Sequence, residues 1–237
     1  MAAGRLRPRG KPHRIGRRYL DDTLILETRY ETESAVVCVT DLMPIGTEHR
    51  AVIRKVTAEA GEIEMVLDLA LRFDYGSIPP WLRVVHGVVG PDLVVFRSPI
   101  GITCVGERIV SEFTVAAGGR VTFTLQYGLS HELEPSAIDP AAAIEATQKY
   151  WTQWAARFST PTDWPGTVKR SLITLRALTD CDTGGIIAAA TTHCLRCRAV
   201  AAIGIIATRG CAIRPLLCRH FSMPGTARRH ACGATGY

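Results

Sequence analysis

The sequence predicts a mainly-β protein in which an antiparallel β-sandwich is followed by two α-helices and an irregular tail. Three observations lead to this prediction. Apolar residues alternate with polar ones in short runs between residues 23 and 127, no helical period interrupts those runs, and a helical period begins after Asp139. Many short strands without helices between them are typical of an antiparallel sandwich and not of a parallel α/β sheet.

The clearest predicted strand covers residues 63–73, where six apolar side chains alternate with positions that include Glu64, Asp68 and Arg72. A strand with this period buries one face and exposes the other. Seven similar runs are predicted as strands, at residues 23–30, 35–42, 51–58, 81–85, 93–97, 109–116 and 121–127. Turn signals lie at Ala60-Gly61, residues 77–80, Gly90-Pro91 and Gly118-Gly119.

The first helix is predicted to begin at Asp139-Pro140, because aspartate caps helices and proline is favoured at the first helical position. Its apolar stripe is predicted to consist of Ala143, Ala146, Tyr150, Trp154 and Phe158. A second helix is predicted from Pro165, with an apolar stripe of Val168, Leu172, Leu175 and Leu178. Both stripes are interpreted as packing surfaces.

Charge is distributed unevenly along the 237 residues, whose formal net charge is +6. Residues 1–18 and residues 193–237 each hold seven uncompensated cations, so the body between them carries about −8. The basic ends favour an acidic partner, but no aromatic residues accompany the tail arginines to stack on bases. We therefore expect no nucleic-acid partner.

Cysteine usage and the absence of targeting signals indicate the cytoplasm. Cys38 and Cys104 both lie in apolar, strand-like stretches, where a buried free thiol is the ordinary expectation in a reducing compartment. The basic N-terminus lacks the apolar run of a signal peptide, and no stretch reaches the length of a membrane span. No membrane association is expected.

The tail has an unusual composition, since residues 183–237 contain no Asp, Glu, Lys, Asn or Gln. It holds several potential metal ligands, namely Cys194, Cys197, Cys211, Cys218, His220, His230 and Cys232. Cys and His are the ligands that zinc prefers, but a second tight pair is absent, so no metal site is predicted. The apolar stretch 183–192 lacks the glycine and lysine spacing of a phosphate-binding loop, and no cofactor is expected.

Six stretches taken together resemble the bacterial glucoamylase and trehalase-like proteins of glycoside hydrolase family 15. They are RRYLDDTLILETRYET at 17–32, VTDLMP at 39–44, RFDYGSIPPW at 72–81, EFTVAAG at 112–118, KRSLITLRALT at 169–179 and TGGIIAAATT at 183–192. The resemblance implies a supersandwich-like β-domain joined by helices to an (α/α)6 barrel. It also implies that this chain is incomplete at its N-terminus and ends before both catalytic glutamates of the barrel.

The resemblance stops after Thr192, and the genetic code suggests why. With a suitable choice of codons, a one-base shift of the frame can respell residues 193–196 as Ser-Leu-Pro-Glu and residues 203–208 as Asn-Trp-Asp-Tyr-Arg-Tyr, which resemble motifs of the family's barrel. We therefore interpret residues 193–237 as a frameshifted tail. The predicted organisation is a basic segment at 1–16, a sandwich at 17–137, linker helices and the barrel entry at 138–192, and the tail.

No catalytic residue is predicted. Glu132, Glu134 and Asp139 suit a solvated linker and a helix cap better than an acid/base pair, and His131 is interpreted as structural. Asp74 and Tyr75 could face the barrel, but they are interpreted as a strand end and turn.

The sequence thus predicts an inactive fragment of a hydrolase of α-glucosidic bonds in trehalose or maltooligosaccharides. Its expected partner is a carbohydrate or a separately encoded barrel half. The alternative is a sandwich interaction module whose Cys/Arg-rich tail binds zinc or nucleic acid.

Overall fold

The computed structural model describes residues 3–73, 78–83, 86–158, 163–179 and 184–186. These residues form twelve strands and two helices. The strands are β1 Ala3–Pro8, β2 Arg14–Tyr19, β3 Leu26–Glu31, β4 Val36–Leu42, β5 Ala51–Ala60, β6 Glu62–Ala70, β7 Trp81–Arg83, β8 His86–Val89, β9 Asp92–Arg97, β10 Thr103–Val105, β11 Arg108–Ala116 and β12 Arg120–Leu129. The helices are α1 Pro140–Ala155 and α2 Pro165–Ala177.

The strands form two antiparallel sheets, which confirms the predicted mainly-β fold class with two helices. The small sheet has the strand order β1-β6-β11-β10, and the large sheet has the order β2-β3-β4-β5-β12-β9-β8-β7. Strand β6 continues from β5 through the predicted turn at Ala60-Gly61 but belongs to the other sheet. The chain therefore crosses between the layers at Gly61.

The main core lies between the two sheets and follows the period of two. In β6, Ile63 and Met65 are buried, while the intervening Glu64 is exposed. Opposite them, the large sheet contributes inward-facing residues such as Val56 and Phe123. Strands of this kind form because alternate side chains can leave water together on one face.

Helix α1 covers part of the opposite face of the large sheet. Ala143 and Ile144 pack against the buried residues Ile25, Leu42 and Ile53. Asp139 caps the helix as predicted, since its Oδ1 accepts hydrogen bonds from two backbone N–H groups of the first turn. Proline follows at the first helical position.

The buried face of α1 differs from the predicted stripe. The fully buried helix residues are Thr147, Trp151, Trp154 and Ala155, whereas the predicted Ala146 is exposed. Thr147 can be buried because its hydroxyl donates to the Ala143 carbonyl and accepts from the Ile45 N–H. A hydroxyl whose hydrogen bonds are satisfied costs little free energy to bury, so the buried face of α1 can include Thr147.

Helix α2 begins at Pro165, as predicted, and its buried residue is Ile173. Lys169 forms an ion pair with Asp22, with 2.9 Å between Nζ and Oδ2, and Arg170 donates to the Thr23 carbonyl at 2.6 Å. The chain divides into two compact units, residues 1–174 and 175–237, and these contacts all lie within the first. In the second, Thr179 forms an isolated bridge with Ile186.

Four strands were not predicted from the sequence: β1, β2, β8 and β10. Strand β1 lies in the segment predicted as a separate basic stretch at 1–16, yet it pairs with β6 as part of the sandwich. All six residues of β2 and all three of β10 are exposed. Such strands bury no face, so they lack the alternating apolar pattern by which strands are recognised.

Candidate functional site

The most connected polar cluster lies on the face of the large sheet away from the main core. Gln126 is 1% exposed, and its Nε2 donates to the Ser136 carbonyl at 2.8 Å while its Oε1 accepts from Arg97. Arg97 also donates to the Glu134 carboxylate at 2.8 Å and to the Pro135 carbonyl at 2.6 Å. The cluster fastens residues 134–136 to the sheet just before α1.

The same cluster shows that Glu134 is not arranged for acid/base catalysis. One carboxylate oxygen accepts from Arg97, and the other lies 3.0 Å from His86 Nε2. Both oxygens are thus engaged by side chains of the large sheet, which gives Glu134 a structural role. Asp139 also has a structural role because it caps α1, while Glu132 and His131 are exposed.

A cleft of about 680 Å³ opens between β1 of the small sheet and the β2–β3 edge of the large sheet. We call it the edge cleft. Its apolar wall includes Ile15 and Tyr30, and Arg54 lies in it with Nε 2.5 Å from Asp41. Among the described residues that line it, six are cationic and Asp41 is acidic, but the side chains of Arg5, Arg7 and Arg9 lie on the outer face of the small sheet. The edge cleft therefore combines an apolar floor with the cations Lys11, Arg17 and Arg54.

Sequence reasoning missed the edge cleft, although one signal for it exists. Arg5, Arg7 and Arg9 recur with a period of two, which is the pattern of a strand with one cationic face. In the structure this face is on the outside of the small sheet, where Arg9 pairs with Glu64 at 2.5 Å and Glu112 at 2.8 Å. On sequence alone these arginines belong to the basic segment predicted at 1–16, since only Leu6 and Pro8 alternate with them as apolar residues.

The exterior of the small sheet continues this charge pairing. Arg108 forms two hydrogen bonds to the Asp68 carboxylate on the neighbouring strand, at 2.7 and 2.5 Å. The hydrogen bonds from Arg108 hold the pKa of Asp68 below its ordinary value, and Arg5 and Arg7 add to this effect. Because the Arg108 and Asp68 side chains are partly exposed to water, this face is a row of solvated ion pairs rather than a catalytic site.

A second, smaller cleft of about 390 Å³ lies beside β7. It is lined by Ile78, Pro79, Trp81 and the β8 end, and the Trp81 side chain is 86% exposed. None of the described residues that line it is charged. These residues offer an aromatic surface but no group that could move a proton or bind a metal.

The remaining predicted positions lie outside the described residues. These are Asp74, Tyr75, the tail ligand set from Cys194 to Cys232, and the proposed frameshift point at Thr192. Within the described parts of the chain, no three His, Cys, Asp or Glu side chains come together as a metal site. The helices of those parts are too short or too polar to cross a membrane.

The two described cysteines differ in their surroundings. Cys38 is buried in β4, and burial, with the nearby Glu27 carboxylate, raises the pKa of its thiol to about 11. Cys104 is exposed in β10. The thiolate is the reactive form of cysteine. Cys38 is therefore expected to react slowly, because its sulfur is buried and only a small fraction of it is thiolate.

We expect iodoacetamide at pH 8 to alkylate Cys104 while Cys38 stays unmodified. At a pKa of about 11, only about one Cys38 in a thousand is a thiolate at that pH. Peptide mapping by mass spectrometry after a short pulse measures both sites in one sample. In denaturant both should react, and equal labelling of the two in the native protein would contradict the structure.

Comparison with known proteins relates the chain to trehalases. It is 25% identical over 222 residues to a trehalase of Mycolicibacterium smegmatis, an alignment that covers 79% of this chain and 33% of that protein. A trehalase of Mycobacterium tuberculosis is also 25% identical, over 221 residues, with 79% and 32% covered. The chain thus spans about a third of the length of the curated relatives it matches.

Among solved structures, a protein described as a kojibiose phosphorylase from the human microbiome aligns with 75% of this chain and 28% of its own. Its TM-score is 0.34 and its sequence identity is 13%, values too low to indicate a shared fold. No family model matches the chain. The relation to glycoside hydrolases therefore comes from the two trehalases, and it is a distant one.

Proposed function

We propose that this chain carries the non-catalytic β-sandwich and linker helices of a trehalase-like glycoside hydrolase of the family 15 type. The observation that carries the proposal is the 25% identity to two trehalases, in alignments that each cover 79% of this chain. The parent activity would be hydrolysis of α-glucosidic bonds in trehalose or maltooligosaccharides. The motif stretches quoted above lend the proposal further support.

We propose further that the 237-residue chain does not catalyse this reaction by itself. Glycoside hydrolysis uses two carboxyl groups on either side of the scissile bond, one as acid and one as base or nucleophile. Among the described residues, neither cleft is lined by two carboxylates, and Glu134 and Asp139 are engaged in structural hydrogen bonds. In this proposal the sandwich supports a barrel or binds sugar and does not supply the acid/base pair.

The proposal includes a shift of reading frame after Thr192. Residues 183–237 contain no acids, lysines or amides, and one-base respelling of residues 193–196 and 203–208 yields barrel-like motifs. A shifted translation explains both observations at once. The proposal also includes a reducing cytoplasmic compartment, which the two unpaired thiols of Cys38 and Cys104 support. A partner that supplies the barrel completes it.

The decisive experiment begins with the DNA around the Thr192 codon. We expect that adding or removing one base there opens a downstream frame rich in acidic residues, and that the protein expressed from it releases glucose from trehalose or maltooligosaccharides. The unaltered 237-residue chain, assayed in parallel, is expected to show no turnover. Substantial turnover by the unaltered chain, or stop codons in the shifted frame, would overturn the proposal.

A second measurement addresses the alternative of a metal-binding tail. Elemental analysis of the purified chain is expected to find zinc well below one equivalent. Stoichiometric zinc that disappears on changing Cys194 and Cys197 to serine would instead identify the tail as a folded metal module. The double variant is a suitable control because all other cysteines remain in place.

A further inference from the structure

The large sheet extends beyond the small sheet on the side of the edge cleft. In the middle of the sandwich the inward residues Val39 and Val56 are 3% and 0% exposed. On the outermost strand β2, the corresponding inward positions Ile15 and Tyr19 are 54% and 46% exposed. The inner face of β2 therefore has no strand opposite it, and a row of apolar side chains borders an open space.

The edge of β1 that faces this space is unpaired, because β1 is the terminal strand of the small sheet. Arg9 N–H donates to the Glu64 carbonyl of β6, so by antiparallel alternation Arg7 and Arg5 also direct their backbone groups toward β6. Gly4 and Leu6 then direct theirs into the cleft. The Arg54 guanidinium, which donates to the Gly4 carbonyl at 3.2 Å, is consistent with this direction.

The charges beside the open edge of β1 define what could pair with it. Arg5 and Arg7 alternate with Gly4 and Leu6, so their side chains lie on the outer face of the small sheet. The Asp68 carboxylate on that face is bound by Arg108, and within the part of the chain that the structure describes Arg5 and Arg7 form no ion pair. A bound strand with carboxylates on this face would complement both cations, whereas a cationic one would be repelled.

We propose that the edge cleft binds an acidic polypeptide segment in extended conformation, which pairs with β1 as a fifth strand of the small sheet. Its apolar side chains would cover Ile15 and Tyr30, and its carboxylates would lie near Arg5 and Arg7 on the outer face of the small sheet. Strand β1 has six residues, which span about 20 Å in a strand. Main-chain hydrogen bonds would supply affinity, and the alternating side chains would supply selectivity.

The occupant must also pair in a defined direction. In an antiparallel pair, residues that exchange hydrogen bonds have side chains on the same face. Gly4 and Leu6 face the core side, so the apolar residues of the bound segment would bond to β1 and its acidic residues would direct their N–H groups to solvent. A second copy of β1 is a poor occupant, because it would bring Arg5, Arg7 and Arg9 beside their own copies.

The test uses the full chain and a fluorescein-labelled seven-residue peptide of alternating glutamate and valine, with binding followed by fluorescence anisotropy. We expect Arg7→Glu to weaken binding about tenfold, because it replaces an attraction by a repulsion. The matched control is Arg14→Glu, on strand β2 and facing away from the cleft, and it should change the affinity less than about threefold. A lysine–valine peptide should not bind.

Two methylated peptides distinguish strand pairing from simple charge attraction. Methylation of the valine nitrogens removes the donors that face β1, so binding should be lost, while methylation of the glutamate nitrogens should leave binding unchanged. Equal binding of both peptides, or the reverse pattern, would overturn the proposal. Displacement by inorganic phosphate with no effect of methylation would identify a small-anion site instead, and peptide exclusion by dimerisation would identify a second copy as the occupant. Because the proposal concerns the sandwich, it can fail while the proposed function stands.

Discussion

Replacing Phe123 with alanine is expected to lower the free energy of unfolding by about 3–5 kcal/mol, the usual cost of removing a buried phenyl ring from a core. Phe123 is 2% exposed. Its ring is stacked on that of Phe96, with centroids 5.9 Å apart and planes 8° apart, and the Phe113 ring approaches edge-on at 5.6 Å. The substitution leaves a cavity between the sheets and removes both aromatic contacts.

Guanidinium unfolding followed by circular dichroism measures this loss. The matched aromatic control is Trp81→Ala, because the Trp81 side chain is 86% exposed and its removal should change the free energy of unfolding by less than about 0.5 kcal/mol. Similar losses for the two variants would mean that Phe123 is not in the main core. An unchanged slope of the unfolding transition would show that both variants unfold the same structure.

The second large effect is expected at Gly61, where the chain crosses from the large sheet to the small one. Gly61 has a φ angle of +70°, and a Cβ atom there would lie 2.0 Å from the Ser34 carbonyl oxygen and 2.9 Å from the Ala35 Cα. Both obstacles are backbone atoms, which cannot rotate away. Gly61→Ala should therefore cost about 3–4 kcal/mol, the sum of left-handed backbone strain and steric crowding.

Gly46→Ala separates these two contributions. Gly46 has a similar φ of +77°, but no atom lies within 4 Å of a Cβ placed there. We expect this variant to lose only the conformational part, about 1–2 kcal/mol, in the same unfolding experiment. A loss of unfolding free energy for Gly61→Ala no larger than that for Gly46→Ala would contradict the close approach of the Ser34 carbonyl oxygen to Gly61.

Much of the secondary structure could be predicted because its signals are local. The alternation of Met65 and Leu67 with acidic neighbours predicted β6, and Asp139-Pro140 predicted where α1 begins. Both signals act within a few residues of the chain. Strand β2 could not be predicted, because an edge strand with every residue exposed leaves no apolar pattern in the sequence.

The candidate sites were harder to predict than the fold. Gln126 occupies an alternating position like any other strand residue. It can be buried because Arg97 and the Ser136 carbonyl satisfy the hydrogen bonds of its amide. Glu134 was expected in a solvated linker, yet Arg97 and His86 hold it against the sheet. His86 and Arg97 are tens of residues from Glu134 along the chain, so no local pattern in the sequence indicates these contacts.

The sequence by itself determined the strand-rich body, the turn at Ala60-Gly61, the capped start of α1 and the contrast between the body and its acid-free tail. Only the tertiary structure decided that β5 and β6 belong to different sheets, that Thr147 is on the buried face of α1, and that an unpaired basic edge borders a cleft. Periodicity and capping depend on neighbouring side chains. Sheet pairing depends on backbone hydrogen bonds, which are chemically the same at every residue, so the partner of each strand is decided by how the whole core packs.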